Sequence, residues 1–188
     1  VSPYFIPQVI ANLAAGQVAI EHDLRGPSYC TTSACASSAH AIGSAVDWIR
    51  AGRSPIMIAG GAEATIIGLG VAGFASMFAL SRRNDEPAKA SRPWDVDRDG
   101  FVIGEGAATL LLESLDHARA RGATIYGEIS GYGATCDAHH ITQPAADGRG
   151  ARSAMQMALE TAHLRPEQID YVNAHGTSTP QGDIQEAR

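Results

Sequence analysis

The chain has 188 residues, 45% of them hydrophobic and 18% charged, a globular composition that excludes a disordered chain. With 14 Lys and Arg against 20 Asp and Glu, the formal charge of -6 argues against a nucleic-acid binder held by phosphate contacts. Arg25, Asp47, Arg50, Glu63 and Arg82 interrupt the apolar runs, so no segment reads as membrane-spanning.

The opening VSPYFIPQVI has neither an initiator Met nor the basic stretch of a secretory signal, and reads as the interior of a longer protein. Residues 7–20 read as a helix, with Pro7 in its first turn and Val9, Ile10, Leu13, Ala14, Val18 and Ile20 apolar; LRGP at 24–27 ends it. Residues 29–32 read as a short buried strand. The small-residue stretch SACASSAHAIGSAVDWIRAG then predicts a buried helix closing at Gly52. After Pro55, PIMIAGG is a short apolar run of the kind that makes a central strand. Residues 68–104 are dense in Gly, Pro, Asp, Arg and Asn and read as a long ordered loop, a feature that tends to carry function. Residues 107–113 predict a strand, and Ser114 caps a short helix that turns Leu115 and Ala118 inward and stops at Gly122. Residues 125–136 predict another strand. From Gly150, the helical spacing of Ala151, Ala154, Met155, Ala158, Leu159 and Ala162 predicts the clearest helix. Pro166 opens a helical turn, and residues 170–174 form a strand running into HGTSTPQGD. Gly is 20 of 188 residues, about 11% against a usual ~7%, which suits closely layered elements. Strands alternating with helices call for an α/β fold with a mixed or parallel sheet.

Cys35 falls at a junction of strand and buried helix, where unpaired N–H groups and the helix dipole favour a thiolate, and its Ala and Ser neighbours leave room for an acyl group. Cys30 and Cys136 lack that setting and read as inert. Three cysteines are too few for a disulfide scaffold and suit a reducing cytosol. His175 lies just past a strand end, where α/β folds place active-site groups, and the Gly, Thr and Ser after it let backbone and hydroxyls approach a ligand. His139 and His140 have no Cys or carboxylate at zinc spacing and read as surface or packing residues, so no metal is expected. GLGVAG matches a dinucleotide fingerprint literally, but TIIG separates it from the preceding strand. DVDRDG imitates a calcium loop, but its twelfth position is Gly106, and an acidic turn pairing Arg92 or Arg98 is the better reading.

Taken together, GPSYCTTSACASSAHAIG, AGGAEA, ALSRRNDEPAKASRPWDVDRDGFVIGEGAA and YVNAHGTSTPQGD resemble the β-ketoacyl-acyl-carrier-protein synthases, most closely the synthase II branch of dissociated bacterial fatty-acid synthesis. The resemblance implies a thiolase-like fold, an α/β arrangement of layers α-β-α-β-α present here only in part. Residues 1–113 would be the later part of the N-terminal half and residues 114–188 the start of the C-terminal half. It implies that Cys35 is the nucleophile taking the acyl chain, and that His175 is the first of two active-site histidines, hydrogen-bonded to the malonyl thioester carbonyl. It further implies that Thr177 and Thr179 contact the phosphopantetheine arm, and that Phe74 gates the acyl pocket. The implied partner is acyl carrier protein bearing acyl and malonyl groups, the implied assembly a cytoplasmic homodimer, and no cofactor is called for. The family continues past HGTSTP to a Lys segment, a second His in N-H-x-F-G-F-G-G and an oxyanion loop; without them the 188 residues alone are expected to be inactive. Phe78 stands where relatives often carry an Arg that faces the carrier protein, a departure that leaves the docking surface open.

Three other readings meet the same residues. Polyketide-synthase ketosynthases usually read DTACSS and HGTGT, whereas this chain has TSACASS and HGTSTP. A non-catalytic partner resembling a chain-length factor would typically lack the nucleophilic Cys, and Cys35 is present. The RPWDVDRDGFVIGEGA block speaks against a thiolase or hydroxymethylglutaryl-type enzyme acting on coenzyme A.

Overall fold

Two adjacent glycines set the packing of the first strand. A Cβ on Gly60 would lie 2.0 Å from the Ala108 carbonyl oxygen, and one on Gly61 would lie 1.9 Å from Ser38 Oγ. β1 (Ile56–Glu63) therefore approaches β2 (Gly106–Glu113) on one side and the start of the preceding helix, residues 37–50, on the other. The two strands pair antiparallel, from Ile56 opposite Glu113 to Glu63 opposite Gly106. The computed structural model describes residues 2–188, and these divide into two units, each built from separate stretches of chain.

The first unit holds the residues up to Glu63 together with Gly106–Glu128. The helix expected over 7–20 is two helices, α1 (Phe5–Val9) and α2 (Leu13–Glu21), because Ile10 turns extended (φ -72°, ψ 121°) between them. α2 ends with Asp23 in the left-handed region and the Leu24 N–H on the Ala19 carbonyl, a helix stop that needs no glycine. α3 (Ser37–Arg50) packs on β1 and buries Gly43, Ala45 and Val46. It closes as the sequence predicts, with Gly52 left-handed and the Arg53 N–H on the Trp48 carbonyl. α5 (Leu115–Ala120) is capped by Ser114, whose hydroxyl accepts the His117 N–H at 3.4 Å. Ala118 is buried as expected, but Leu115 is half-exposed.

The second unit holds Ala64–Glu105 and Ile129–Arg188. Its helices are α4 (Gly68–Ser76), α6 (Arg149–Ala162) and α7 (Gly182–Glu186). α4 occupies the start of the expected loop. Its glycines at 68, 70 and 73 are poor helix formers, which hid it, yet a Cβ on Gly70 would lie 2.4 Å from the Thr65 carbonyl oxygen. α6 carries the predicted small-residue stripe. Gly131 and Gly133 lie against it so closely that a Cβ would come within 2.1 Å of the Ala158 carbonyl oxygen and 2.0 Å of that of Ala154. Leu80 and Phe101 form a parallel bridge.

The expected strands at 29–32, 125–136 and 170–174 make no ladder among the described residues. Residues 29–32 are mostly exposed rather than buried, and Tyr126, Tyr171 and Val172 are exposed as well. β-rich composition gives a segment the propensity to pair, but a strand exists only once a neighbour supplies the other half of its hydrogen bonds. The one ladder among the described residues is antiparallel, whereas the alternation of strands and helices predicts a mixed or parallel sheet. No helix among the described residues is long and apolar enough to cross a membrane.

Candidate active site

Cys35 sits in the first unit, in a 3₁₀ turn (Ala34–Ala36) immediately before α3, with its side chain exposed. The preceding residue, Ala34, has φ +51°, a left-handed conformation that costs a residue bearing a Cβ about 1–3 kcal/mol. Four side-chain hydrogen bonds hold the turn. Ser37 Oγ donates to the Ala34 carbonyl and accepts the Ser33 N–H, both at 2.8 Å. Thr31 Oγ1 donates to the Ser37 carbonyl at 2.8 Å, and Ser33 Oγ is bonded to His40 Nδ1 at 2.6 Å. The serines that the sequence offers as mere small neighbours are thus the struts of the turn. Cys30 and Cys136 are exposed too, so exposure alone does not separate the three thiols. Cys30 Sγ donates to the Thr31 carbonyl at 3.3 Å.

His175, Thr177 and Thr179 share one loop of the second unit. The Glu186 carboxylate on α7 accepts the backbone N–H groups of His175 and Gly176, the latter at 2.6 Å, which leaves the His175 side chain exposed at the head of the loop. Gly176 is left-handed (φ +47°), and a Cβ there would lie 2.8 Å from the Trp94 ring. Thr177 Oγ1 and Thr179 Oγ1 are 3.1 Å apart and bonded to each other, and Thr179 Oγ1 also accepts the Gly182 N–H.

Beneath the loop lies Asp183, 1% exposed. Its Oδ1 accepts the Ser178 N–H at 3.1 Å, and its Oδ2 accepts the Trp94 N–H at 2.8 Å and faces Arg98 Nε at 3.3 Å. Ser178, fully buried and left-handed at φ +69°, accepts the Arg92 N–H on Oγ and the Gly100 N–H on its carbonyl. Arg98 completes the knot by donating to the carbonyls of Thr179, Pro180 and Asp95. The RPWDVDRDG stretch is therefore the clamp on the histidine loop.

Its acidic residues behave as the sequence suggests. Arg92 pairs with Asp95 at 2.9 Å, and that bond, with the Asp97 N–H, holds the Asp95 carboxyl below the usual carboxylate range. The Ser81 hydroxyl and the Arg82 N–H do the same for Asp99. Glu105 accepts the Ile66 N–H at 2.8 Å. His140 Nδ1 accepts the N–H groups of Thr142 and Gln143, a packing role. Among the described residues no cluster of His, Cys, Asp and Glu has the makings of a metal site. GLGVAG is the body of α4 rather than a loop before a helix.

Phe74, on α4 in the second unit, is half-buried with its ring edge-on to Phe101 at 5.3 Å. Phe78, beyond the end of that helix, is exposed and left-handed, with the Arg82 guanidinium 5.4 Å over its ring. Sequence reasoning missed Asp183 and Glu186. The available signal was their i, i+3 spacing directly after the loop, which sets both carboxylates on one side of a single helical turn.

Residues 1–118 match the family described as beta-ketoacyl synthase, N-terminal domain, and residues 126–188 match beta-ketoacyl synthase, C-terminal domain. The 3-oxoacyl-[acyl-carrier-protein] synthase 2 of Synechocystis sp. is 55% identical over 187 residues, covering 100% of this chain and 45% of its own length. The mitochondrial 3-oxoacyl-[acyl-carrier-protein] synthase of Arabidopsis thaliana is 53% identical over 188 residues, covering 100% of this chain and 41% of its own. A beta-ketoacyl synthase from Burkholderia phymatum STM815 superposes with a TM-score of 0.92 at 48% identity, over 100% of this chain and 45% of that one. A chain from the complex of a type II PKS acyl-carrier protein with its ketosynthase gives a TM-score of 0.95 at 37% identity, over 99% of this chain and 46% of that one. The chain thus spans less than half the length of these relatives, and its fold is the thiolase-like ketosynthase fold in part. On these matches, which between them reach both ends of the sequence, the chain belongs to the beta-ketoacyl synthase family.

Proposed function

We propose that this chain carries part of the machinery of a fatty-acid chain-elongating synthase that joins a malonyl unit to a Cys-bound acyl chain. The Cys35 sulfur attacks the thioester of acyl-acyl-carrier protein; the acyl–sulfur bond to the carrier breaks, the carrier thiol leaves and a Cys35 thioester forms. Malonyl-carrier protein then loses carbon dioxide, and the electron pair moves onto the thioester carbonyl, where His175 donates a hydrogen bond to the developing oxyanion. The enolate carbon attacks the Cys35 thioester, the C–S bond breaks, and 3-oxoacyl-carrier protein is released with the Cys35 thiolate restored. Thr177 and Thr179 contact the phosphopantetheine arm, and Phe74 lines the acyl pocket. Residues 1–113 belong to the N-terminal thiolase-like half and residues 114–188 to the C-terminal one, in a protein acting as a cytoplasmic homodimer.

The observation that carries this reading is an exposed Cys35 on a pinned turn before α3; within its own unit, His175 has a clamped backbone and an exposed side chain. Identity of 50–55% to relatives named 3-oxoacyl-[acyl-carrier-protein] synthase 2, against 37% to the type II PKS chain, favours fatty-acid over polyketide chemistry. In the protein that contains this chain, His175→Ala is expected to lower carbon dioxide release from malonyl-carrier protein about a hundredfold or more while Cys35 still takes up acyl groups. Equal loss of both half-reactions would reassign His175 as the base for the nucleophile.

A further inference from the structure

We propose that Ser33, Ser37 and His40 are positioning residues for Cys35: they hold Ala34 left-handed and so fix the direction in which the next side chain leaves the backbone. The inference rests on the reading of Cys35 as the acyl acceptor. A lone alanine at φ +51° persists only where its surroundings over-determine it, and here the side chains of Ser33, Ser37 and His40 do so. Ser37 grips the turn from both sides, through the Ala34 carbonyl and the Ser33 N–H. His40, within α3, ties Ser33 to the helix through a 2.6 Å bond, so the residue two places before Cys35 is anchored to a rigid element. Thr31 fastens the incoming chain to the Ser37 carbonyl. None of these bonds uses the Cys35 thiol.

The test measures single-turnover acylation from an acyl-carrier-protein thioester in the protein that contains this chain, with peptide mass mapping of the acylated residue. His40→Ala and Ser33→Ala are each expected to slow acylation of Cys35 about five- to tenfold with donor affinity unchanged, and the double variant to be no slower than either. Adding Ala34→Gly to His40→Ala is expected to restore the rate, because glycine takes the left-handed conformation without support. His40→Asn, which keeps a polar atom near the Nδ1 position, should retain the parent rate, whereas His40→Gln, whose amide reaches towards Nε2, should lose it. This pair decides the matter if His40→Ala does not fold. Acylation at the parent rate in both His40→Ala and His40→Gln, or failure of Ala34→Gly to restore it, overturns the inference. Acyl groups mapped to another residue in the parent overturn instead the reading of Cys35 on which it rests.

Discussion

Asp183 shows how much a single buried carboxylate can organise. Its two oxygens meet two backbone N–H groups and one guanidinium, joining the histidine loop to residues 92–98. Asp183→Ala strands the two N–H groups and leaves the Arg98 guanidinium without its counter-charge, and breaking a buried charged pair costs about 3–5 kcal/mol. Urea denaturation should show that loss, and a drop below ~1 kcal/mol would mean that water replaces the carboxylate. Phe74→Ala is a different case, since its ring is half-buried against Phe101. The variant should fold and shift the length of acyl chain accepted, read from the product distribution; an unchanged distribution would confine the ring to packing. Cys35 and His175 stand out in the sequence as candidates because their neighbours Ala, Ser, Gly and Thr are unusual in combination. Asp183 and Glu186 show only an i, i+3 spacing there, and the N–H groups they meet come from the fold, so spacing alone does not say what they hold.

Among elements, α5 is pinned by a charge cluster at its entry. Glu113, at the end of β2, accepts two bonds from Arg121 and lies 2.7 Å from His117 Nδ1. Chiefly through the Arg121 bonds, its carboxyl is lowered to about 2, from an ordinary value of 4.5. A depressed acid contributes stability in full above its unfolded value and loses it as pH falls towards its folded value. Denaturation midpoints of wild type and Glu113→Gln should therefore differ above pH 4.5 and converge as pH drops towards 2. Gly60→Ala tests the strand pair, because its Cβ would meet backbone rather than a movable side chain. Overpacking of this kind costs about 1–3 kcal/mol, and a smaller loss in thermal unfolding would mean that the strands part cheaply. β1, β2, α3 and α6 are legible because period and boundary residues agree. The break at Ile10 is invisible to periodicity, since the apolar residues on both sides keep their spacing. The three unpaired segments mislead for another reason: composition reports what a backbone would pair with, not whether the neighbour is there.

Over the whole molecule, much apolar surface is open: six of the eight β2 residues are exposed, as are Leu69, Val96, Tyr126 and Ile141. Surface of this kind in a folded chain marks interfaces or invites association. The 188-residue chain by itself is expected to bind a hydrophobic dye such as ANS strongly and to sediment with a mass that rises with concentration. Weak dye binding by a monomer would show that these side chains close on one another in solution. The two units are also interleaved, the chain passing from first to second at Glu63, back at Gly106 and across again after Glu128. During synthesis β1 emerges well before β2, and at ribosomal rates of about 5–20 residues per second the delay is on the order of seconds. Throughout that interval β1 offers an unpaired edge, so the nascent chain has a period of exposure to chaperones and to neighbouring chains that no substitution at the chemical site would shorten.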